Sequence, residues 1–296
     1  MTGDATIFDR ELLTTRRQRA AVGAAAHDFL LQRVADDLAE RLSIVNRRFD
    51  VAVDLGAHHG VLARRVSALP SVGRVIAAER APGLLGQCPG ERVLADEEWL
   101  PFGAESVDLV VSALALQYVN DLPGTLAQIR RILRPDGLLL ASLLGGETLK
   151  ELRAAWLEAE AEVEGGASPR VAPFVDVRTL GALLQRAGFA LPVTDADPVT
   201  VRYPSALALM RDLKAMGASN ALRSRSRKPT RRETLARACG IYERRFSDAD
   251  GRVVATFEIL TATAWAPHES QPKPLAPGSA ATRLADALGS RERSAG

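Results

Sequence analysis

Apolar positions along this chain follow two alternating periods. In residues 27–45, HDFLLQRVADDLAERLSIV, the side chains Phe29, Leu30, Val34, Leu38 and Leu42 form one helical stripe, which predicts a leading helix packed on a sheet. FDVAVDLG (49–56) is a short apolar run ending in Asp-Leu-Gly, a buried strand that meets a turn, and VLARRVSAL continues as a helix. RVIAAE (74–79) and ERVLAD (91–96) read as the second and third strands. VDLVVSALAL (107–116) is the most apolar, as expected of a central strand covered on both faces. A helix through LAQIRRIL follows, ended by the turn signal Arg134-Pro135-Asp136-Gly137, and LLLASLL is the next strand.

Alternating strands and helices predict right-handed βαβ units, so the fold class is α/β, doubly wound about a mostly parallel sheet. After about Glu147 the rhythm changes. Two helices, ETLKELRAAWLEAEAEVE and VRTLGALLQRAG, flank the loop GGASPRVAPF, and RVVATFEILTATAW (252–265) reads as a late strand. A hairpin between it and a strand near 198–203 is expected to close the sheet edge. Four regions result: a helical lead-in over 1–48, a core over 49–146, a cap with sheet-closing strands over 147–266, and an extended, partly mobile tail over 267–296.

Composition narrows the class without naming it. With 47% hydrophobic and 25% charged residues the chain is an ordinary soluble globular protein, and a net charge of +2 does not suggest a general nucleic-acid binder. The densest basic stretch, Leu222 to Arg232, reads first as a solvated loop leading into a helix; if functional it would steer an acidic partner. Cys88 and Cys239 have neither paired nor metal-like spacing, which fits a reducing compartment. The apolar stretch Leu109 to Leu116 is far too short to span a bilayer, and the first residues lack an apolar signal core. Trp156, Trp265 and Tyr203 read as packing residues.

Four segments end where an open parallel sheet binds ligands, beyond the carboxyl ends of its strands. In VDLGAHHG (53–60), Gly56 lets the backbone bend towards a ligand and Gly60 lets the next helix pack closely. Glu79, 25 residues after Asp54, can accept from both hydroxyls of a ribose. Asp96, followed by Glu97 and Glu98, can accept from an adenine amino group. Ser112 to Leu116 leave strand four under a reactive centre. Each has a plainer reading: a turn, a capping acid, a solvated strand end. Their order and spacing together favour a nucleoside cofactor. A dinucleotide calls for Gly-x-Gly-x-x-Gly around a pyrophosphate, whereas the acidic turn Asp54-Leu-Gly56-Ala-His-His-Gly60 suits a ligand ammonium, and so S-adenosylmethionine.

VDLGAHHG, VLADEEWLPF, VDLVVSALALQYVNDLP and IRRILRPDG together resemble class I S-adenosylmethionine-dependent methyltransferases, including those that act on carrier-bound acyl groups in biotin synthesis. A closer resemblance spans nearly the whole chain, through IFDR, GGETLKELR, EGGASPRVAPF, VRYPSALALMRDLKAMGASN, DADGRVVAT and HESQPKP. These strings are similar to the respiratory complex I assembly factors that hydroxylate an arginine of a peripheral-arm subunit. The resemblance implies a seven-stranded-type, Rossmann-like sheet, S-adenosylmethionine as cofactor and a protein partner. It places Asp54, Gly56 and Gly60 in the glycine loop, Glu79 at the ribose, Asp96 at the adenine and Gln117 facing the active centre. His58 stands where relatives carry glycine, and its side chain is expected to narrow the pocket.

No metal is expected: adjacent His58 and His59 diverge on most backbones, and no His-x-Asp motif suggests an iron site. The match begins at Ile7, leaving no room for an organelle presequence, so a bacterial cytoplasm is the expected location, with peripheral contact at the inner face of the membrane. Three functions compete: modification of a complex I arginine, methyl transfer to a small or carrier-bound acyl substrate, and a non-catalytic assembly chaperone.

Overall fold

The apolar run at residues 49–56 becomes strand β1 (Phe49–Leu55) of a seven-stranded sheet in a computed structural model that describes residues 6–272. The others are β2 (Val72–Glu79), β3 (Glu91–Leu94), β4 (Val107–Ala113), β5 (Leu133–Leu144), β6 (Ala190–Tyr203) and β7 (Val253–Trp265), ordered β3-β2-β1-β4-β5-β7-β6. The first five are parallel, and β7 runs antiparallel to both neighbours. Strand order reverses between β1 and β4, where a doubly wound sheet opens its ligand crevice.

Both faces are covered, as the unbroken apolar strands require. Ala52, Leu109, Val111, Leu138 and Leu140 pack on one face with α2 (Phe29–Ser43), α3 (Val61–Ser67), α6 (Lys150–Glu164) and α9 (Arg232–Phe246). Val53, Leu55, Val110, Leu139 and Ala141 pack on the other with α5 (Leu122–Ile132) and α7 (Val177–Arg186). Successive residues of one strand therefore enter different cores, the two-period geometry of a strand. The helices α1 (Arg10–Ala20), α4 (Pro82–Leu85) and α8 (Ala206–Ala215) complete the set among the described residues. None of the described helices is long and apolar enough to cross a membrane.

Three expectations need correction. Strand β6 begins eight residues before the expected 198, and it is itself the edge strand, with β7 lying between it and β5. The two are not a simple hairpin, because α8 and α9 intervene. Arg134 to Gly137 is no free turn but an interruption inside the β4–β5 ladder, whose register jumps from Val107↔Leu133 to Leu109↔Leu138 with Asp136 at φ +62°. The expected mobile tail falls, beyond residue 272, outside the described residues.

Gly60 fixes how α3 leaves β1. It lies at φ +81°, and a Cβ there would approach Pro89 Cδ to 2.6 Å and Cys88 Cα to 2.9 Å. Gly60→Ala combines a left-handed penalty with overpacking, so an unfolding free energy lower by roughly 2–4 kcal/mol is expected by denaturant titration.

Candidate active site

The carboxyl edges of β1, β2 and β4 meet at one acidic cleft. The penultimate residue of β1, Asp54, is completely buried, and neither carboxylate oxygen meets a donor in hydrogen-bonding geometry. Desolvation pushes its pKa up to about 7; the facing Ala63 amide pulls it down and Glu79 adds to the rise. The loop that follows turns at Gly56 (φ +70°), where a Cβ would lie 2.2 Å from that of Ala115. His58 sits at φ +50°, in the left-handed region that favours glycine. Its N–H donates to Glu79 Oε2 at 3.0 Å, and its ring nitrogen Nε2 lies 3.3 Å from the Leu114 carbonyl. Burial, reinforced by the Arg17 charge, lowers its pKa to about 3, so the ring is neutral and its Nε2–H donates to Leu114.

Glu79, expected at an exposed strand end, is instead fully buried. Its oxygens accept from the His58 and Ala81 amides, and burial raises its pKa despite the Arg17 guanidinium 4.0 Å away. Asp96 and Glu97 follow β3, and both are held by Arg10; the Asp96 contact is 2.6 Å. Asp96 also faces Arg80 at 3.3 Å, and Glu97 lies 3.7 Å from Arg17. Ser112 does not reach the cleft: its hydroxyl is buried and donates to the Leu55 carbonyl at 2.6 Å, tying the ends of β4 and β1 together. That contact positions the two strand ends relative to each other.

Beside this edge lies a cavity of about 310 Å³, within the range of small-molecule sites. His58 and Gln117 line it, as do Leu144, Trp156, Phe174 and Phe257. Gln117 donates through Nε2 to the Leu114 carbonyl at 2.7 Å, and its buried Oε1 has no partner. Of the candidate residues, His58 and Gln117 thus lie on the cavity, and Glu79, Asp96 and Glu97 in the acidic strip beside it. His59 turns away from its neighbour and meets Asp28 at 3.0 Å.

Helix α1 was not foreseen. Arg10 and Arg17, two turns apart, are buried against the acidic strip, and the Arg17 guanidinium lies 5.5 Å from the centre of the Tyr118 ring. Arg170, also unforeseen, stacks 4.6 Å from the Trp156 ring centre and pairs with buried Glu160 at 2.5 Å, lining the cavity from the cap. One sequence signal could have found α1: Arg10, Leu13 and Arg17 keep helical spacing, but two of the three are cations.

Residues 53–141 match the model of the methyltransferase domain. The arginine-hydroxylase NDUFAF5, mitochondrial, of Danio rerio is 39% identical, over 95% of this chain and 89% of its own length. A malonyl-[acyl-carrier protein] O-methyltransferase of Methylovorus sp. is 36% identical, over 90% and 93%. The solved structure of the YcgJ protein from Bacillus subtilis shares the fold at 12% identity, with a TM-score of 0.55 over 78% of this chain and 98% of that one. The methyltransferase domain takes S-adenosylmethionine as cofactor, and the cleft suits it. A buried carboxylate at Asp54 without a hydrogen-bond partner, a glycine turn and a strand-end carboxylate at Glu79 are acceptors of the kind that an ammonium and a ribose would fit. The first of these relatives is the more similar of the two, at 39% against 36% identity, and both matches extend well beyond residues 53–141. The chain belongs to the arginine-hydroxylase NDUFAF5 family, within the S-adenosylmethionine-dependent methyltransferase superfamily.

Proposed function

We propose that this enzyme modifies an arginine of a peripheral-arm subunit of respiratory complex I during assembly, in the cytoplasm at the inner face of the membrane. The observation that carries the reading is the 39% identity to an arginine hydroxylase over 95% of the chain, because it includes the cap residues that line the cavity. Asp54 would hold the cofactor ammonium, Gly56, His58 and Gly60 its amino-acid part, Glu79 the ribose, and Asp96 with Glu97 the adenine side. When bound, the cofactor would supply an electrophilic sulfonium, the chemistry of methyl transfer; inserting an oxygen into an arginine is instead a two-electron oxidation, which draws on dioxygen and a reductant from solution.

The chain's own residues orient and enclose the acceptor. Gln117 presents an unpartnered Oε1 on the cavity wall, an acceptor for an N–H of the incoming side chain, and is the candidate catalytic residue. The apolar lining excludes water, which strengthens each polar contact inside. Incubating the full chain in air with S-adenosylmethionine, a reductant and the purified subunit, followed by mass spectrometry, tests the reading. A gain of one oxygen on an arginine is expected. A gain of one methyl would point instead to the acyl-carrier type of methyl transfer, and an unchanged mass to an assembly chaperone.

His58 is expected to weaken cofactor binding. Its imidazole occupies cavity wall at a backbone conformation that glycine adopts without a steric penalty. His58→Gly should bind S-adenosylhomocysteine several-fold more tightly by calorimetry, since even about 1.4 kcal/mol is tenfold. Equal affinity in the two proteins would remove the steric argument.

A further inference from the structure

Charge on this chain is nearly balanced, +2 over 296 residues, yet it is concentrated in one place. Between Arg223 and Arg232 the sequence RSRSRKPTRR holds six cations and no acid. The structure fixes the base of this segment firmly. Phe8 and Leu222 form an antiparallel bridge, the Asp9 N–H donates to the Ala221 carbonyl at 2.8 Å, and Arg225 pairs with Asp9 at 3.0 Å. Beyond Arg225 the residues up to Glu233 are exposed, and Arg227, Lys228, Arg231 and Arg232 have no acid within ion-pair distance among the described residues.

Its position relative to the cavity gives this charge a direction. Asn220 and Ala221, directly before the run, line the cavity, and Thr230, within it, accepts from the Arg170 guanidinium at 3.0 Å. Arg170 lines the same cavity. Arg16 of α1 adds its guanidinium to this rim, donating to the Ser219 carbonyl at 2.9 Å. The basic run therefore lies beside the cavity, joined to its wall through Asn220, Ala221 and the Arg170–Thr230 contact.

We propose that Arg227, Lys228, Arg231 and Arg232 form a docking surface for an acidic face of the protein partner, delivering its acceptor side chain to the cavity. This rests on the reading of the chain as an enzyme acting on a protein. Exposed guanidinium groups suit carboxylates, which they meet as a two-pronged fork. The segment has no aromatic residue on which a base could stack, and no apolar side chain except Pro229 that could enter a bilayer. Unpaired charges at a site entrance raise the rate of encounter with an oppositely charged partner and lose that effect in salt.

The test uses the full chain, and a variant carrying Arg227→Glu, Lys228→Glu, Arg231→Glu and Arg232→Glu, against the intact candidate subunit and a short peptide holding only its acceptor arginine. S-adenosylhomocysteine affinity and activity on the peptide are expected to be unchanged. Activity on the intact subunit, as kcat/KM, should fall about tenfold or more, and the wild-type value should fall towards that of the variant as salt is raised. A variant that processes the intact subunit as well as the wild type overturns the docking surface alone. Wild-type protein that modifies neither subunit nor peptide overturns the activity reading and the docking surface with it. Binding of single-stranded RNA or of phosphatidylglycerol vesicles by the wild type, lost in the variant while the subunit rate is unaffected, would reassign the surface to that partner.

Discussion

Asp54→Asn is expected to stabilise the cofactor-free protein at neutral and alkaline pH and to abolish high-affinity cofactor binding. Burial raises the Asp54 carboxyl from 3.8 to about 7. A group with a raised folded-state pKa contributes stability that is fully present below its unfolded value and is lost as pH rises through the folded one. The folded chain therefore weakens between about pH 4 and about pH 7, and the loss is then complete. At about 1.36 kcal/mol per unit the full swing is on the order of 4 kcal/mol. Asparagine keeps the shape and cannot ionise. The difference in melting temperature between variant and wild type should thus be small near pH 4, widen to pH 7 and stay constant above it. Calorimetric scans across that range check this, and a pH-independent difference would mean that Asp54 titrates normally. The same change removes the counter-charge for a ligand ammonium, so one residue should move stability and affinity in opposite directions.

Glu79→Ala should cost both affinity and stability. An exposed strand-end acid could be removed without much effect on melting. The buried carboxylate found here accepts from the His58 and Ala81 amides and faces Arg17, so its removal leaves buried donors unpaired. Each orphaned donor costs about 1–3 kcal/mol, which predicts a melting temperature lower by several degrees. Loss of two charge-assisted bonds to a ribose should also reduce S-adenosylhomocysteine affinity by roughly tenfold or more. Glu79→Gln separates the effects: it restores one acceptor to the amides and recovers part of the stability, but presents a donor where the ribose needs an acceptor. A Glu79→Ala protein with wild-type affinity would move the ribose elsewhere.

The sheet core was legible because its strands are buried on both faces. In β4, Leu109 and Val110 enter opposite cores, so the run is continuously apolar and cannot be mistaken for a surface strand. β6 was only half visible for the opposite reason. As the edge strand it carries Asp195 and Asp197, whose exposed carboxylates pair with Arg41 and Arg33 of α2, together with Pro192 and Pro198. At the site, Asp54, Gly56 and Gly60 could be read from chain order because the turn after β1 is short and local. The burial of Glu79 could not, since it depends on α1 and the 96–98 loop closing over it from distant parts of the sequence. Helix α1 itself stayed hidden because the stripe it turns inward contains two arginines, and a search for apolar periodicity sees only Leu13.

The order of synthesis gives the bridge between Phe8 and Leu222 a temporal meaning. Two contacts that hold α1 span more than two hundred positions, Arg16 to Ser219 and Asp9 to Ala221. Helix α1 leaves the ribosome before the core, yet these two anchors emerge only after strands β1 to β5 are complete. Contacts of such long sequence separation form late, because loop closure must precede any gain from them. Until then the helix can be held only by its nearer partners, through Arg10 to Asp96 and Glu97 and through Arg17 to Glu79 and Glu97. A nascent chain halted before residue 219 should therefore hold this helix less firmly than the full chain does, so the grip on the acidic edge tightens late in synthesis.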